Sequence, residues 1–147
     1  MSKVVSLYHI VINTKNREMT IAAEHSEDIY RFITSIIKRN KCVLYRIGGI
    51  ENHIHILVDL SPTVNLSHLM WDIKRSSSDW AKQSGLFPDF VGWGKEYAAF
   101  SVSTSHKDAV IAYIKRQREH HQQVGYDAEL QRIAERNGAQ WNETMLT

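Results

Sequence analysis

An α+β fold with a single antiparallel sheet is predicted from three observations. The first is the order of apolar patterns along the 147 residues: strand, helix, strand, strand, helix, strand, then more helix. The second is a change of period, from runs rich in β-branched residues to apolar stripes at i, i+3, i+4 and i+7. The third is punctuation. Gly48-Gly49 and Ser61-Pro62 bracket the stretch from Asn52 to Leu60 and mark it as a strand beside its neighbour.

Residues 4–13 (Val4 to Asn13) are β-branched and apolar on both sides, as a central strand requires. A polar connection, Thr14 to Thr20, follows. A helix is expected from about 22 to 40, because Ile29, Phe32, Ile33 and Ile36 form one stripe; Thr20 and Ser26 are its candidate caps. Cys42 to Ile47 reads as the second strand and Asn52 to Leu60 as the third. Asn65 is a candidate N-cap for a helix whose stripe is Leu66, Leu69, Met70, Ile73 and Trp80. Residues 85–95 read as a loop on their glycine and proline content. Tyr97 to Ser103 reads as the fourth strand, and a long helix is expected from about His106 to Gln123. Residues 126–137 are a further short helix, and the tail from Gly138 is polar.

This order is the ferredoxin-like or RRM-like βαββαβ arrangement, a four-stranded antiparallel sheet with helices on one face, followed here by a tyrosine-bearing C-terminal helix. The length suits one domain, residues 1–147, with a core of about 4–124 and a tail of about 125–147. Hydrophobic content of 43% and charged content of 23% are those of an ordinary globule. No apolar run approaches the roughly 20 residues of a membrane span. No secretory signal pattern opens the chain, and the lone Cys42 has no internal partner, so a cytoplasmic protein is expected. A net charge of +2 is too small to indicate nucleic acid by itself. The basic clusters Lys38-Arg39-Asn40-Lys41, Lys74-Arg75 and Lys115-Arg116-Gln117-Arg118 are more informative, although each alone reads as a solvated helix face.

Candidate chemistry begins with Asn52-His53-Ile54-His55-Ile56-Leu57-Val58. Side chains alternate along a strand, so His53 and His55 share a face opposite Ile54, Ile56 and Val58. Two imidazoles two residues apart are placed to grip one metal ion. Half-exposed sheet histidines without a role are the plain alternative, but a core strand disfavours it. An unpaired buried polar group costs roughly 1–3 kcal/mol. A structural zinc site would ask for thiolates the chain lacks.

The last long helix supplies a second set. Val110, Tyr113, Ile114 and Gln117 lie along one side, and His120 and His121 continue it. Tyr113 and Gln117 are one turn apart and project together. An amphipathic helix with a boundary tyrosine is again the plain alternative. Taken with the histidine pair, however, two imidazoles and a Gln oxygen can hold a divalent ion and leave positions open. Mg²⁺ or Mn²⁺ tolerates such a shell when a phosphate supplies more oxygens. Tyr113 would then be a nucleophile toward phosphorus. Its ordinary pKa near 10 demands activation by its surroundings. A phosphotyrosine link conserves the phosphodiester bond, which fits the lack of any Walker-type phosphate loop.

The motifs Tyr8-His9-Ile10-Val11, Asn52 to Val58, Lys74-Arg75-Ser76-Ser77, Trp93-Gly94-Lys95-Glu96-Tyr97 and Tyr113-Ile114-Lys115-Arg116-Gln117 occur in one order over roughly residues 7–117. In this ordered set the chain resembles the insertion-sequence HUH transposases with a single catalytic tyrosine, the IS200-like type. The resemblance implies cleavage and rejoining of single-stranded DNA near imperfect hairpins at element ends, through a 5′-phosphotyrosine and a free 3′-OH, with Mg²⁺ or Mn²⁺. It implies a homodimer in which one subunit's tyrosine helix can complete the other's site. It makes His53, His55 and Gln117 the metal ligands and Tyr113 the nucleophile. Lys74, Arg75, Ser76, Lys115, Arg116 and Arg118 are the residues expected to contact DNA. Glu51-Asn52 replaces the Asp that precedes the first histidine in many relatives, which leaves the contact behind that histidine open. The domesticated, repeat-associated branch carries Asn-Pro after the tyrosine and a Trp-rich C-terminal segment; neither is present, which favours a mobile-element enzyme over a repeat-associated nuclease. A non-catalytic RRM-like binder would display aromatics on an open sheet face, a two-histidine cyclic phosphodiesterase would need two His-x-Ser/Thr motifs, and a replication relaxase is usually larger and often carries a second tyrosine.

Overall fold

A computed structural model describes residues 2–121 and 125–139. Four strands, β1 (Leu7–Thr14), β2 (Val43–Ile50), β3 (His53–Asp59) and β4 (Trp93–Val102), form one sheet in the order β2-β3-β1-β4, with every pair antiparallel. The helices are α1 (Ser26–Arg39), α2 (Leu66–Ser84), α3 (Lys107–Lys115), α4 (Gln117–His120) and α5 (Tyr126–Arg136). The expected βαββαβ order is present, but the sheet is covered on both faces among the described residues.

On one face α1 and α2 pack over Ile10, Ile12, Ile54, Ile56 and Val58, contributing Ile29, Ile33, Ile36, Leu69, Met70 and Ile73. Each such side chain contributes about 1.5–3 kcal/mol by leaving water. Phe32 and Trp80 stack at the rim of this layer, ring centres 4.9 Å apart. The α1–α2 seam is closed by Asp72, which accepts hydrogen bonds from Arg39, Asn40 and Ser76. On the other face α5 lays Tyr126, Leu130, Ile133 and Ala134 against Val11, Ala98 and Phe100. The packed body therefore continues past the boundary expected at 124.

Several element ends differ from the sequence reading. β1 begins at Leu7 rather than Val4. Neither Thr20 nor Ser26 caps α1, which starts without a side-chain cap. β2 continues through Gly48-Gly49, which act there as close-approach residues. A Cβ at Gly49 would lie 2.1 Å from the His53 carbonyl oxygen, and one at Gly48 would lie 3.2 Å from Ile114 of α3. β4 starts at Trp93, because that residue pairs with Thr14 and buries its indole, donating to Ser77 Oγ at 2.9 Å. The expected loop therefore closes before Trp93. The cap at Asn65 is as read: its Oδ1 accepts from His68 N at 2.8 Å, and Gly85 ends α2 with φ 75°.

The expected continuous helix from His106 to Gln123 is broken at Arg116 (φ −96°, ψ 15°), whose amide is shared between the carbonyls of Ala112 and Tyr113. This tightened turn separates α3 from α4. The predicted end of that helix, at 122–123, and most of the tail from Gly138 lie outside the described residues.

Candidate metal centre and nucleophile

β3 is buried on both faces, and its polar half points at α3–α5. His53 and His55 have no exposed surface. Register places His53 beside Asn13 and Ile50, and His55 beside Val11 and Gly48. The glycine opposite His55 is what lets α3 come down onto the histidine face.

Each ring is oriented from behind. Asn52 donates through its amide to the Arg17 carbonyl at 3.4 Å, which turns its Oδ1 toward His53 Nδ1 at 2.8 Å. His53 Nδ1 therefore carries the proton, and Nε2 offers a lone pair to the interior. Burial pushes His53 down to about 4, so the ring is neutral at pH 7. His55 Nδ1 is 2.8 Å from His9 Nε2. Burial, then the neighbouring His55, push His9 down to about 3. Tyr126 stacks on His53 with ring centres 4.3 Å apart, and its hydroxyl donates to Asn13 Oδ1 at 3.3 Å.

The inward nitrogens meet Glu129 of α5, only 2% exposed. Its Oε1 lies 3.1 Å from His53 Nε2 and 3.0 Å from His55 Nε2. Gln117 donates to Glu129 Oε2 at 3.0 Å, which leaves its own Oε1 facing His53 Nε2, also at 3.0 Å. A nitrogen lone pair, an amide oxygen and a carboxylate oxygen thus converge with no proton assigned among them. Such an all-acceptor cluster is repulsive in a buried site, where low dielectric strengthens every charge interaction. A divalent cation reverses the sign of each contact. The ligand atoms of His53, His55 and Glu129 all lie within 4.8 Å of one another, so the donor set fits one ion.

Tyr113, on α3, donates its hydroxyl to Glu129 Oε2. Its ring is edge-on to His55, with centres 5.6 Å apart. Burial, then the hydrogen bond and charge of Glu129, hold its pKa well above the ordinary phenol value. At rest this is a protonated phenol, and it needs positive charge nearby to become a nucleophile.

The sequence-predicted quartet His53, His55, Tyr113 and Gln117 is brought into one cluster. The basic residues are not in it. Lys115 and Arg116 are exposed at the kink and Arg118 just after it, where Arg118 pairs with Glu51 at 2.6 Å. Lys74 and Arg75 line a groove between α2 and the start of β4, where Lys74 donates to the Lys95 carbonyl and the Arg75 guanidinium lies 5.1 Å over the exposed Trp71 ring. Ser76 is turned the other way, into the Asp72 network. Sequence reasoning missed Glu129, His9 and the orienting Asn52. A signal for Glu129 existed: Tyr126, Glu129, Leu130 and Ile133 fall at i, i+3, i+4 and i+7, so a carboxylate occupies a core position of an amphipathic stripe.

The family model described as "Transposase IS200 like" matches residues 2–117. The chain belongs to that family. Two solved structures share the fold at low identity. One is a candidate transposase from Deinococcus radiodurans (20% identity, TM-score 0.62, covering 80% of this chain and 95% of that one). The other is a REP-associated tyrosine transposase bound to a REP hairpin (14% identity, TM-score 0.62, covering 84% and 76%). No curated protein matches the chain. As an IS200-like transposase the protein is a metal-dependent enzyme of single-stranded DNA, with a His/His/Glu cluster beside the tyrosine helix. Glu129 lies outside the family match. Among the described residues, no helix is long and apolar enough to cross a membrane.

Proposed function

We propose that this transposase cleaves and rejoins single-stranded DNA at hairpin-marked element ends through a 5′-phosphotyrosine intermediate. The observation that carries the reading is the meeting of Tyr113 Oη, Gln117 and the His53/His55 nitrogens on one buried carboxylate. The hairpin is supported by the REP-hairpin complex of a protein with the same fold.

His53, His55, Gln117 and Glu129 would hold the divalent ion, Mg²⁺ or Mn²⁺, which when bound supplies positive charge to the phosphoryl oxygens. Tyr113 Oη attacks phosphorus, an O–P bond forms to the tyrosine, and the bond to the departing 3′-oxygen breaks. The phenol proton leaves through Glu129, which already accepts it, and the 3′-oxygen takes a proton from water. Attack by a 3′-OH on the phosphotyrosine reverses the step, so no nucleotide is consumed. Lys74 and Arg75 on the groove, with Lys115, Arg116 and Arg118 near the site mouth, would track the phosphate backbone, and Ser76 would join them once released from Asp72. The reading includes residues 1–147 as one catalytic unit, acting as a homodimer in the cytoplasm with the tyrosine helix placed in cis or in trans.

The test is a covalent adduct. Wild-type protein, Mn²⁺ and a hairpin-bearing single-stranded oligonucleotide should give a band of raised mass on a denaturing gel, with peptide mapping to Tyr113. Tyr113→Phe removes only the oxygen; it should give no adduct yet still shift the DNA on a native gel. An adduct that persists, or maps to another tyrosine, overturns the assignment.

A further inference from the structure

Glu129 is surrounded by four imidazoles, two of them outside the His53–His55 pair. His121 Nε2 lies 3.0 Å from Glu129 Oε1, and His120 Nε2 lies 3.2 Å from Oε2. Both contacts have hydrogen-bond distance without hydrogen-bond geometry. Both nitrogens are buried and have no hydrogen-bond partner among the described residues. The His121 side chain is only 5% exposed. A buried polar atom left in this way is destabilising unless something binds to it.

Their placement is also unusual. Adjacent residues in a helix do not ordinarily face one target. Here α4 ends at His120, and His121 follows with ψ near 0°, which turns both rings onto the same carboxylate, with centres 5.2 Å apart and planes at 86°. The ligand atoms of His120, His121 and Glu129 lie within 4.8 Å of one another, as do those of His53, His55 and Glu129. The two groups share only Glu129.

We propose that the chain holds a second divalent cation on His120, His121 and Glu129, with the Glu129 carboxylate bridging it to the cation of the His53–His55 pair. This rests on the metal-centre reading given above. An ionised carboxylate has about four lone-pair sites over its two oxygens, enough for two cations as well as the Tyr113 hydroxyl and the Gln117 amide. Bridged pairs of this kind stand roughly 3.5–4 Å apart. Two imidazoles and one carboxylate oxygen match Zn²⁺ best and also suit Mn²⁺, which accepts nitrogen more readily than Mg²⁺ or Ca²⁺. The second ion would sit beside Tyr113, whose ring is 5.3 Å from that of His120.

The experiment titrates the full chain with Mn²⁺ alone, measuring ions bound per chain by calorimetry and spin coupling by electron paramagnetic resonance. Wild-type protein should bind two ions with an exchange-coupled signal. The His120→Ala/His121→Ala and His53→Ala/His55→Ala pairs should each bind one, with an uncoupled signal. If wild type binds one ion that is lost only in the His53/His55 variant, the second site is overturned and the first stands. One ion weakened by both pairs means a single shared shell and also overturns the proposal. One ion lost only in the His120/His121 variant also overturns the bridged pair, and removes the His53–His55 reading with it. Should a variant fail to fold, the wild-type count and coupling still decide, and His120→Gln/His121→Gln repeats the test with polar replacements of similar bulk.

Discussion

The two faces of β3 take alternate residues of one seven-residue strand and do opposite work. Ile54, Ile56 and Val58 point into an apolar layer under α1 and α2. His53 and His55 point the other way, into a cluster of imidazoles, a carboxylate, an amide and a phenol under α3–α5. The apolar face fills space and needs no particular partner atom. The polar face is fully buried too, so every nitrogen and oxygen there has to be matched, and a mismatch is a site for a ligand. Burial alone therefore does not mark a core. A rigid, isoleucine-packed face is what allows the other side of the same strand to hold reactive groups in fixed positions.

Breaking the polar side should give the largest functional effect with little loss of fold. His55→Ala should reduce Mn²⁺-dependent cleavage at least ~100-fold and leave native-gel DNA binding in place. Cleavage at the wild-type rate would place the ion elsewhere. Breaking the apolar side should do the reverse. Ile56→Ala should cost about 2–5 kcal/mol of stability by denaturant unfolding, while the fraction that remains folded keeps its specific activity. Equal damage to both properties would mean the two faces are not separable.

A smaller effect is expected at the α1–α2 seam. Burial works to raise the Asp72 carboxyl, but hydrogen bonds from Arg39, Asn40 and Ser76 outweigh it and hold the group below its ordinary value. A carboxylate depressed in the folded state stabilises fully above its unfolded pKa, near 4, and loses that contribution as pH falls through the lower folded value. Asp72→Asn should therefore be less stable by roughly 1 kcal/mol at pH 7, with the gap closing as the solution is acidified below about pH 4. A gap that widens in acid would contradict the sign. Smallest of all, Lys74→Ala should lessen the fall of log K with log salt by about 0.7 for single-stranded DNA, without changing cleavage of bound substrate. An unchanged slope would take Lys74 off the phosphate path.

Much of this contrast was legible in the amino-acid order. His53 and His55 alternate with Ile54 and Ile56, and period two alone assigns the faces. Tyr113 and Gln117 are one helical turn apart, and that spacing survives the kink between them. Asn65 and Gly85 bracket α2 by ordinary cap chemistry. What stayed hidden depends on contacts between distant segments. Gly48 and Gly49 look like strand breakers until α3 and the His53 carbonyl are seen against them. His9 becomes part of the site only through the β1–β3 register, which sets it opposite Leu57, two residues along from His55 on the same face. Glu129 sits on a helix that local pattern does not place on either face; its position in an apolar stripe signals burial but not its neighbours. The break at Arg116 has no Pro or Gly to announce it.

The central claim is that Glu129, beyond the segment the family model matches, belongs to the working site on the polar face. Glu129→Gln keeps the shape of the side chain, removes its charge and turns one acceptor oxygen into an NH2 donor. With folding verified by circular dichroism, Mn²⁺ affinity measured by calorimetry on this variant tests the claim most directly. Glu129→Gln should lose at least ~10-fold in Mn²⁺ affinity, with a parallel loss of hairpin-oligonucleotide cleavage and unchanged DNA binding. Wild-type Mn²⁺ affinity and cleavage in a folded Glu129→Gln protein would contradict it.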